Sequence, residues 1–126
     1  MRTDLKRLEE ALRRAWGADT CFPGVRETWD PENPSLGQCT VTALVVQAHF
    51  GGDLFYNRKL HHYWNNLPGF EEVDFTRDQY LSGTQVKFDG TRQRADVLGS
   101  ERAEQFRTME RYLILRDRVD EALAMA

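Results

Sequence analysis

The sequence is poor in cysteine and contains no long hydrophobic run. Cys21 and Cys39 are its only two cysteines among 126 residues, and no segment approaches the roughly 18 apolar residues that a membrane span needs. The opening segment, MRTDLKRLEEALRRAW, is too charged for the apolar region of a signal peptide. We therefore expect a cytoplasmic protein without a membrane partner, in a reducing compartment where both cysteines remain thiols.

An excess of positive charge and a recognisable metal-ligand spacing are also absent. Seventeen Lys and Arg stand against 20 Asp and Glu, for a net charge of −3, and no stretch concentrates the basic residues as a nucleic-acid footprint would require. Two cysteines and three histidines form no C-x-x-C or H-E-x-x-H pattern. We expect no nucleic-acid partner, no metal and no cofactor, and the sequence leaves the oligomeric state open.

The length and the hydrophobic periodicity predict one domain over residues 1–126, of the α+β class. Helices are indicated by apolar spacings of three and four residues, and strands by alternation. The predicted elements are a helix over 4–16 with Thr3 as N-cap, a loop over 17–34, a helix from 35 or 36 to 49 or 50, antiparallel strands around 54–58, 61–66 and 71–76, a turn at 77–80, an edge strand at 85–88, a polar loop over 90–100 and a helix from Ser100.

The last part of the chain gives a weaker signal. The polar loop over 90–100 is a candidate border of an active-site cleft. The final helix is expected to bury Ala103, Phe106, Met109, Tyr112 and Leu113 along one side, with Arg/Glu pairs opposite. Its charges indicate a solvated face, with a partner-binding helix as the alternative.

Cys39 follows a Gly-Gln pair and falls in the first turn of the second predicted helix. A thiolate at that position gains from the helix dipole and from unpaired backbone N–H groups, which lower a cysteine pKa. Free cysteine is also among the most buried residue types. The position alone therefore fits either an activated nucleophile or a packing residue.

A base and a carboxylate occur downstream of the cysteine. In the run HHYWNN, strand alternation places His61 and His62 on opposite faces, so only one of them can face Cys39. Asp74 lies between two apolar residues in the next strand, where a carboxylate is costly unless it has a partner. Cysteine, histidine and aspartate are the parts of a thiol triad: nucleophile, base and orienting carboxylate.

These residues carry a resemblance to known families. The motifs Gly37-Gln38-Cys39, His62-x-Trp64-Asn65 and Asp74-x-Thr76 resemble the G-Q-C, H-x-W-N and D-x-T signatures of the transglutaminase-like branch of papain-fold enzymes, in the same chain order. The runs ETWDPENPSLGQCTVTALVVQAHFGGDL, HYWNNLP and VDFTRDQY resemble the YunG family of small bacterial proteins. The chain departs from the transglutaminase pattern at Thr40, where those enzymes usually have an aromatic residue.

The resemblance implies a papain-like or transglutaminase-like core, in which the Cys39 helix packs on a small antiparallel sheet between flanking N- and C-terminal helices. It also implies roles for Cys39 as nucleophile, His62 as base and Asp74 as orienter of the histidine. The side chains of Gln38 and Trp29 can donate a hydrogen bond to a carbonyl oxygen, as can the Cys39 backbone N–H. The oxyanion and substrate-positioning candidates are therefore Gln38, Trp29, Trp64 and Asn65.

Two classes of function follow. The first is a cysteine-dependent acyl-transfer enzyme that forms a thioester on Cys39 and acts on an amide- or peptide-like substrate by hydrolysis, deamidation or transamidation. The second is a non-catalytic binding or scaffold protein on the same fold with a vestigial triad.

Overall fold

The computed structural model describes residues 3–69 and 71–125 as an α+β arrangement of five helices and one four-stranded sheet. The helices are α1 (Thr3–Ala15), α2 (Cys39–Phe50), α3 (Arg94–Gly99), α4 (Glu101–Gln105) and α5 (Thr108–Met125). The strands are β1 (Asp53–Asn57), β2 (His62–Leu67), β3 (Glu71–Val73) and β4 (Gly90–Arg92). Short 3₁₀ turns lie at Pro23–Thr28 and Arg77–Gln79.

The sheet has the order β3-β2-β1-β4, and all three pairings are antiparallel. The central hairpin pairs Asn57 with His62 at its tip and Asp53 with Asn66 at its open end. A glycine is required where the chain enters β1, because a Cβ on Gly52 would lie 2.2 Å from the Asn66 carbonyl oxygen. This close approach fixes the end of α2 against the middle of the sheet.

The core lies on both sides of α2. Residues 41–46 of this helix are all buried, whereas Ala48 and His49 near its end are exposed. Such a helix must be covered on several sides; α2 packs on β1 and β2 and also on α5, which in turn packs against α1. The α+β class and the packing of the cysteine helix on an antiparallel sheet are thus confirmed.

The predicted boundaries of the central elements need two corrections. Helix α2 begins at Cys39 rather than at 35 or 36, because Gly37 adopts a φ of 72°, which interrupts a right-handed helix. The third strand ends at Val73 rather than at 76, so Asp74 follows the strand instead of lying in it. The strands at 53–57 and 62–67 lie within one residue of the predicted ones, and the turn predicted at 77–80 is the 3₁₀ turn. The capping role predicted for the Thr3 side chain lies outside what the structure describes.

The C-terminal third departs further from the prediction. The edge strand lies at 90–92 instead of 85–88, and the segment predicted as a polar loop forms β4 and α3. The predicted continuous helix is broken between α4 and α5 at Arg107, whose φ is 56°. Ala103 and Tyr112 are buried as expected, but Met109 is exposed and Arg111 is buried, because the break changes the rotational phase of the helix.

Candidate active site

Cys39 is the first residue of α2, and its side chain is half-buried. The preceding turn depends on Gly37, where a Cβ would lie 2.7 Å from the Val25 Cγ2 atom. The Cys39 Sγ atom lies 3.7 Å from the His61 carbonyl oxygen and 3.8 Å from the Thr40 hydroxyl oxygen. In the described residues the first backbone bond of the helix is donated by Thr42 to Gln38, so the earlier N–H groups of the helix remain open beside the thiol.

His62 and Asp74 form a short hydrogen-bonded pair. The distance between His62 Nε2 and Asp74 Oδ2 is 2.7 Å, which is typical of a charge-assisted bond. His62 is fully buried, whereas 19% of the Asp74 side chain is exposed. The second oxygen of Asp74 accepts weaker bonds from the backbone N–H and the hydroxyl of Thr76, at 3.3 and 3.4 Å. Asp74 is therefore fixed from both sides and holds one nitrogen of the imidazole.

The other imidazole nitrogen, His62 Nδ1, is buried and makes no hydrogen bond within the described part of the chain. A buried polar atom without a partner is uncommon and costs free energy. The Cys39 thiol is close enough to the ring for the two groups to shift each other's pKa, although Sγ and Nδ1 do not form a bond of normal geometry. The structure thus brings Cys39, His62 and Asp74 together, with His62 in the middle.

The pKa values of the thiol and the imidazole shift in opposite directions. Burial opposes ionisation of Cys39, but the adjacent His62, the Tyr63 backbone N–H and the Thr40 hydroxyl together outweigh it and lower the pKa of the thiol below its ordinary value. Burial likewise opposes protonation of His62, but the hydrogen bond to Asp74 and the interaction with Cys39 raise its pKa to about 9. Both shifts favour a thiolate beside an imidazolium.

Gln38 and Trp29 direct their polar side-chain atoms away from the thiol. Gln38 is fully buried; its amide oxygen accepts from the Thr20 hydroxyl at 2.8 Å, and its amide nitrogen donates to the Gly17 carbonyl at 3.0 Å. Trp29 donates its indole N–H to the Pro34 carbonyl at 3.1 Å. The structure therefore engages both donors in holding the loop between α1 and α2.

Trp64 and Asn65 have different positions around His62. The Trp64 ring stacks on the imidazole with a centroid distance of 5.7 Å, and its indole N–H donates to Glu72. Asn65 is buried on the opposite face of β2 and donates to the Ala43 carbonyl at 2.9 Å, which docks α2 on the sheet. Trp64 is thus in contact with the histidine, and Asn65 is engaged with the helix.

The two remaining histidines and the second cysteine lie outside this group. His61 exposes its side chain and contributes only its carbonyl to the surroundings of the thiol, whereas His49 lies 3.7 Å from Asp120 on α5. Cys21 is fully buried, and its Sγ atom contacts the Ala18 carbonyl at 3.2 Å. Burial raises the pKa of the Cys21 thiol, so the two cysteines differ in the direction of their shifts.

A cavity of about 560 Å³ opens beside Cys39. Its walls come from the loop before α2, from β1, β2 and β4, from the turn after β3, and from the segment of α3 to α5. From the sequence, only the segment over 90–100 is predicted to border a cleft, so the other walls of the cavity are not predicted. Three arginines in its wall escape prediction, because arginines in polar or helical segments ordinarily face solvent; they are Arg92, Arg102 and Arg111.

The described residues contain no group of three or more His, Cys, Asp or Glu side chains placed to hold a metal ion. Over the same ranges, no helix is long and apolar enough to cross a membrane.

The fold and the site together define an α+β protein with a Cys-His-Asp group whose cysteine lines a cavity. The chain belongs to the YunG protein family, whose model matches residues 4–124. It is 36% identical over 78 residues to the "Uncharacterized protein YunG" of Bacillus subtilis (strain 168). That alignment covers 60% of this chain and 63% of the Bacillus protein, so it spans less than two thirds of the relative. A comparison with solved structures finds no match.

Proposed function

We propose that this protein is a cysteine-dependent acyl-transfer enzyme in which Cys39 is the nucleophile, His62 the base and Asp74 the orienter of the histidine. One observation carries the proposal. The His62 ring is held by Asp74 through Nε2 at 2.7 Å, its buried Nδ1 has no partner among the described residues, and the ring is close enough to Cys39 for each group to shift the pKa of the other. A ring fixed in this way is ready to take the thiol proton.

The reaction begins with transfer of the Cys39 proton to His62 Nδ1. The thiolate attacks the carbonyl carbon of an amide, forming a C–S bond and an oxyanion. The oxyanion collapses as the C–N bond breaks, and His62 returns the proton to the departing amine. The resulting thioester is resolved by water, which gives a carboxylic acid, or by an amine, which gives a new amide. Each outcome restores the Cys39 thiol.

Backbone groups are the best candidates for stabilising the oxyanion. The N–H groups of Cys39 and Thr40 donate to no other group in the described part of the chain, and the helix dipole places partial positive charge there. Gln38 and Trp29 are already engaged with Gly17 and Pro34. We therefore assign the oxyanion site to the start of α2 and a loop-supporting role to these two side chains.

The resemblance to transglutaminase-like enzymes of the papain fold agrees with this proposal. The motifs of those enzymes occur in the same order. Cys39 begins a helix, His62 lies on a strand of the adjacent sheet, and Asp74 follows the neighbouring strand. Both cysteines are free, as activity in a reducing cytoplasm would require. The proposed substrate is an amide- or peptide-like molecule that fits the cavity beside Cys39.

The experiment is labelling with a panel of electrophilic acyl probes, followed by measurement of the adduct mass on intact protein and on peptides. We expect one acyl adduct on Cys39 in the wild type and none in Cys39→Ala. Cys21→Ala is the matched control and retains the adduct. A folded wild-type protein whose Cys39 reacts no faster than a free thiol would favour the alternative, a non-catalytic binding protein on this fold.

A further inference from the structure

The wall of the cavity beside Cys39 carries more positive than negative side chains. Among the described residues that line it are three arginines, Arg92, Arg102 and Arg111, and a single carboxylate, Asp96. The chain as a whole has a net charge of −3. The positive charge of the cavity wall is therefore a local feature that runs against the overall charge of the protein.

None of the three arginines forms an ion pair with a carboxylate of the described residues. Arg92 lies over the Tyr56 ring at 4.3 Å, and Arg102 lies over the Phe106 ring at 4.9 Å. Aromatic faces hold a guanidinium in place without neutralising it. Both groups thus present a net positive charge at the cavity.

Arg111 is the most unusual of the three, because only 4% of it is exposed. Its guanidinium donates to the Phe106 and Thr20 carbonyls and to the Thr108 hydroxyl, at 2.9, 3.3 and 3.3 Å. All three acceptors are neutral, and a guanidinium has five N–H donors. A buried cation without an anion is costly. An anion bound beside the Arg111 guanidinium would offset this cost.

The arginines also lie within electrostatic reach of the catalytic group. Burial raises the pKa of the Tyr63 phenol and the charge of Cys39 raises it further, whereas the charges of Arg92 and Arg102 lower it. Burial lowers the pKa of Arg111, and the Cys39 thiolate opposes this decrease. The nucleophile and the cationic wall thus share one cavity, whose lining also includes apolar residues such as Phe22, Val25 and Leu36.

We propose that the cavity selects an acyl donor that carries an anionic group, a carboxylate or a phosphate, bound by Arg92, Arg102 and Arg111 while its carbonyl lies at Cys39. This inference rests on the proposed function, since it specifies the substrate class of the same site. A cavity of about 560 Å³ falls within the range of small-molecule sites, about 300 to 1,000 Å³. The substrate class is thus a small amide with an apolar part and one anion.

The test compares alkylation of Cys39 by iodoacetate, which is anionic, with alkylation by neutral iodoacetamide of similar size. The rate with iodoacetate is divided by the rate with iodoacetamide, and this ratio is then divided by the same ratio measured for free glutathione. Because both reagents react with the same thiolate, the ratio does not depend on its pKa. We expect a normalised ratio of about five or more in the wild type, from the Coulomb attraction of the wall.

Two variants and one control locate the source of the effect. Arg92→Gln and Arg102→Gln lie at exposed positions, and each is expected to lower the ratio about twofold. Arg14→Gln removes the same charge from the exposed face of α1 and leaves the ratio unchanged. Because Arg111 is buried, its substitution endangers folding, and the conclusion therefore rests on the other two positions.

The outcomes separate this inference from the proposed function. Rapid labelling by iodoacetamide together with a normalised ratio near one overturns the anionic substrate and leaves the nucleophile intact. Labelling no faster than glutathione overturns the proposed function itself. With a raised ratio, protection of Cys39 by succinate identifies a carboxylate as the bound group, and protection by inorganic phosphate identifies a phosphate.

Discussion

The substitution Asp74→Asn tests how the imidazole is controlled. It keeps the shape of the side chain but replaces the carboxylate that holds His62 Nε2 at 2.7 Å. His62 is fully buried, so the lost charge is poorly replaced by solvent. The pKa of His62 should fall from about 9, the imidazolium should become less stable, and the pKa of the Cys39 thiol should rise.

The size of the effect follows from the kind of bond that is lost. A hydrogen bond to a charged group contributes about 1.5 to 3 kcal/mol, which corresponds to about 1 to 2 pKa units. The midpoint of Cys39 alkylation against pH should therefore rise by about 1 to 2 units. Below the wild-type midpoint the rate should fall by about 10- to 100-fold, and at high pH it should recover.

The assay is the rate of iodoacetamide labelling of Cys39 across the pH range, with folding checked by circular dichroism. Asp78→Asn is the matched control, because Asp78 is an exposed acid in the next turn and pairs with Arg13. Its profile should match the wild type. An unchanged profile in folded Asp74→Asn, beside a clear change in His62→Ala, would refute the role of Asp74.

Three further predictions follow from the same contacts. Gln38→Ala should lower the free energy of unfolding by about 1 to 3 kcal/mol, because Thr20 and Gly17 each lose a buried hydrogen-bond partner. The pH midpoint of Cys39 labelling should not change. A shifted midpoint without destabilisation would return Gln38 to the oxyanion site. Gly52→Ala should destabilise the protein more than Gly51→Ala in urea unfolding, since the new Cβ would lie 2.2 Å from a backbone oxygen at Gly52 but in open space at Gly51; equal losses would contradict the close approach. Cys39→Ser should lower the pKa of His62 below its wild-type value of about 9, because the variant removes the hydrogen bond and the charge of Cys39 that help to raise it. The measurement is an NMR titration of the His62 imidazole in both proteins, and an unchanged pKa in the folded variant would exclude the coupling.

The central elements could be predicted from the sequence because their signals are local. Helix α2 ends at a Gly-Gly pair, and polar and apolar residues alternate in the strands, which short turns separate. Both kinds of element are therefore visible in the residue pattern. The Cys39, His62 and Asp74 group was accessible through motif order, and the structure brings the three side chains together. Distances and hydrogen-bond partners, however, depend on packing that no short motif encodes.

The cationic wall of the cavity could not be predicted for the same reason. Arg111 and Met109 lie two residues apart, and a single residue in the left-handed region, Arg107, decides which of them is buried. Gln38 shows the same limit, because its polar side chain at a helix start suggests solvent or substrate contact. It is instead fully buried between Thr20 and Gly17, which lie about twenty residues away in the chain.

The most direct test of the account is the pKa of the Cys39 thiol in the folded wild type, measured from its alkylation rate against pH and compared with Cys21 in the same sample. The account predicts a midpoint below the ordinary cysteine value of about 8.5, labelling of Cys39 before Cys21, and loss of the low midpoint in His62→Ala. A midpoint at or above that value, or labelling of Cys21 first in the folded protein, would contradict an activated nucleophile at Cys39.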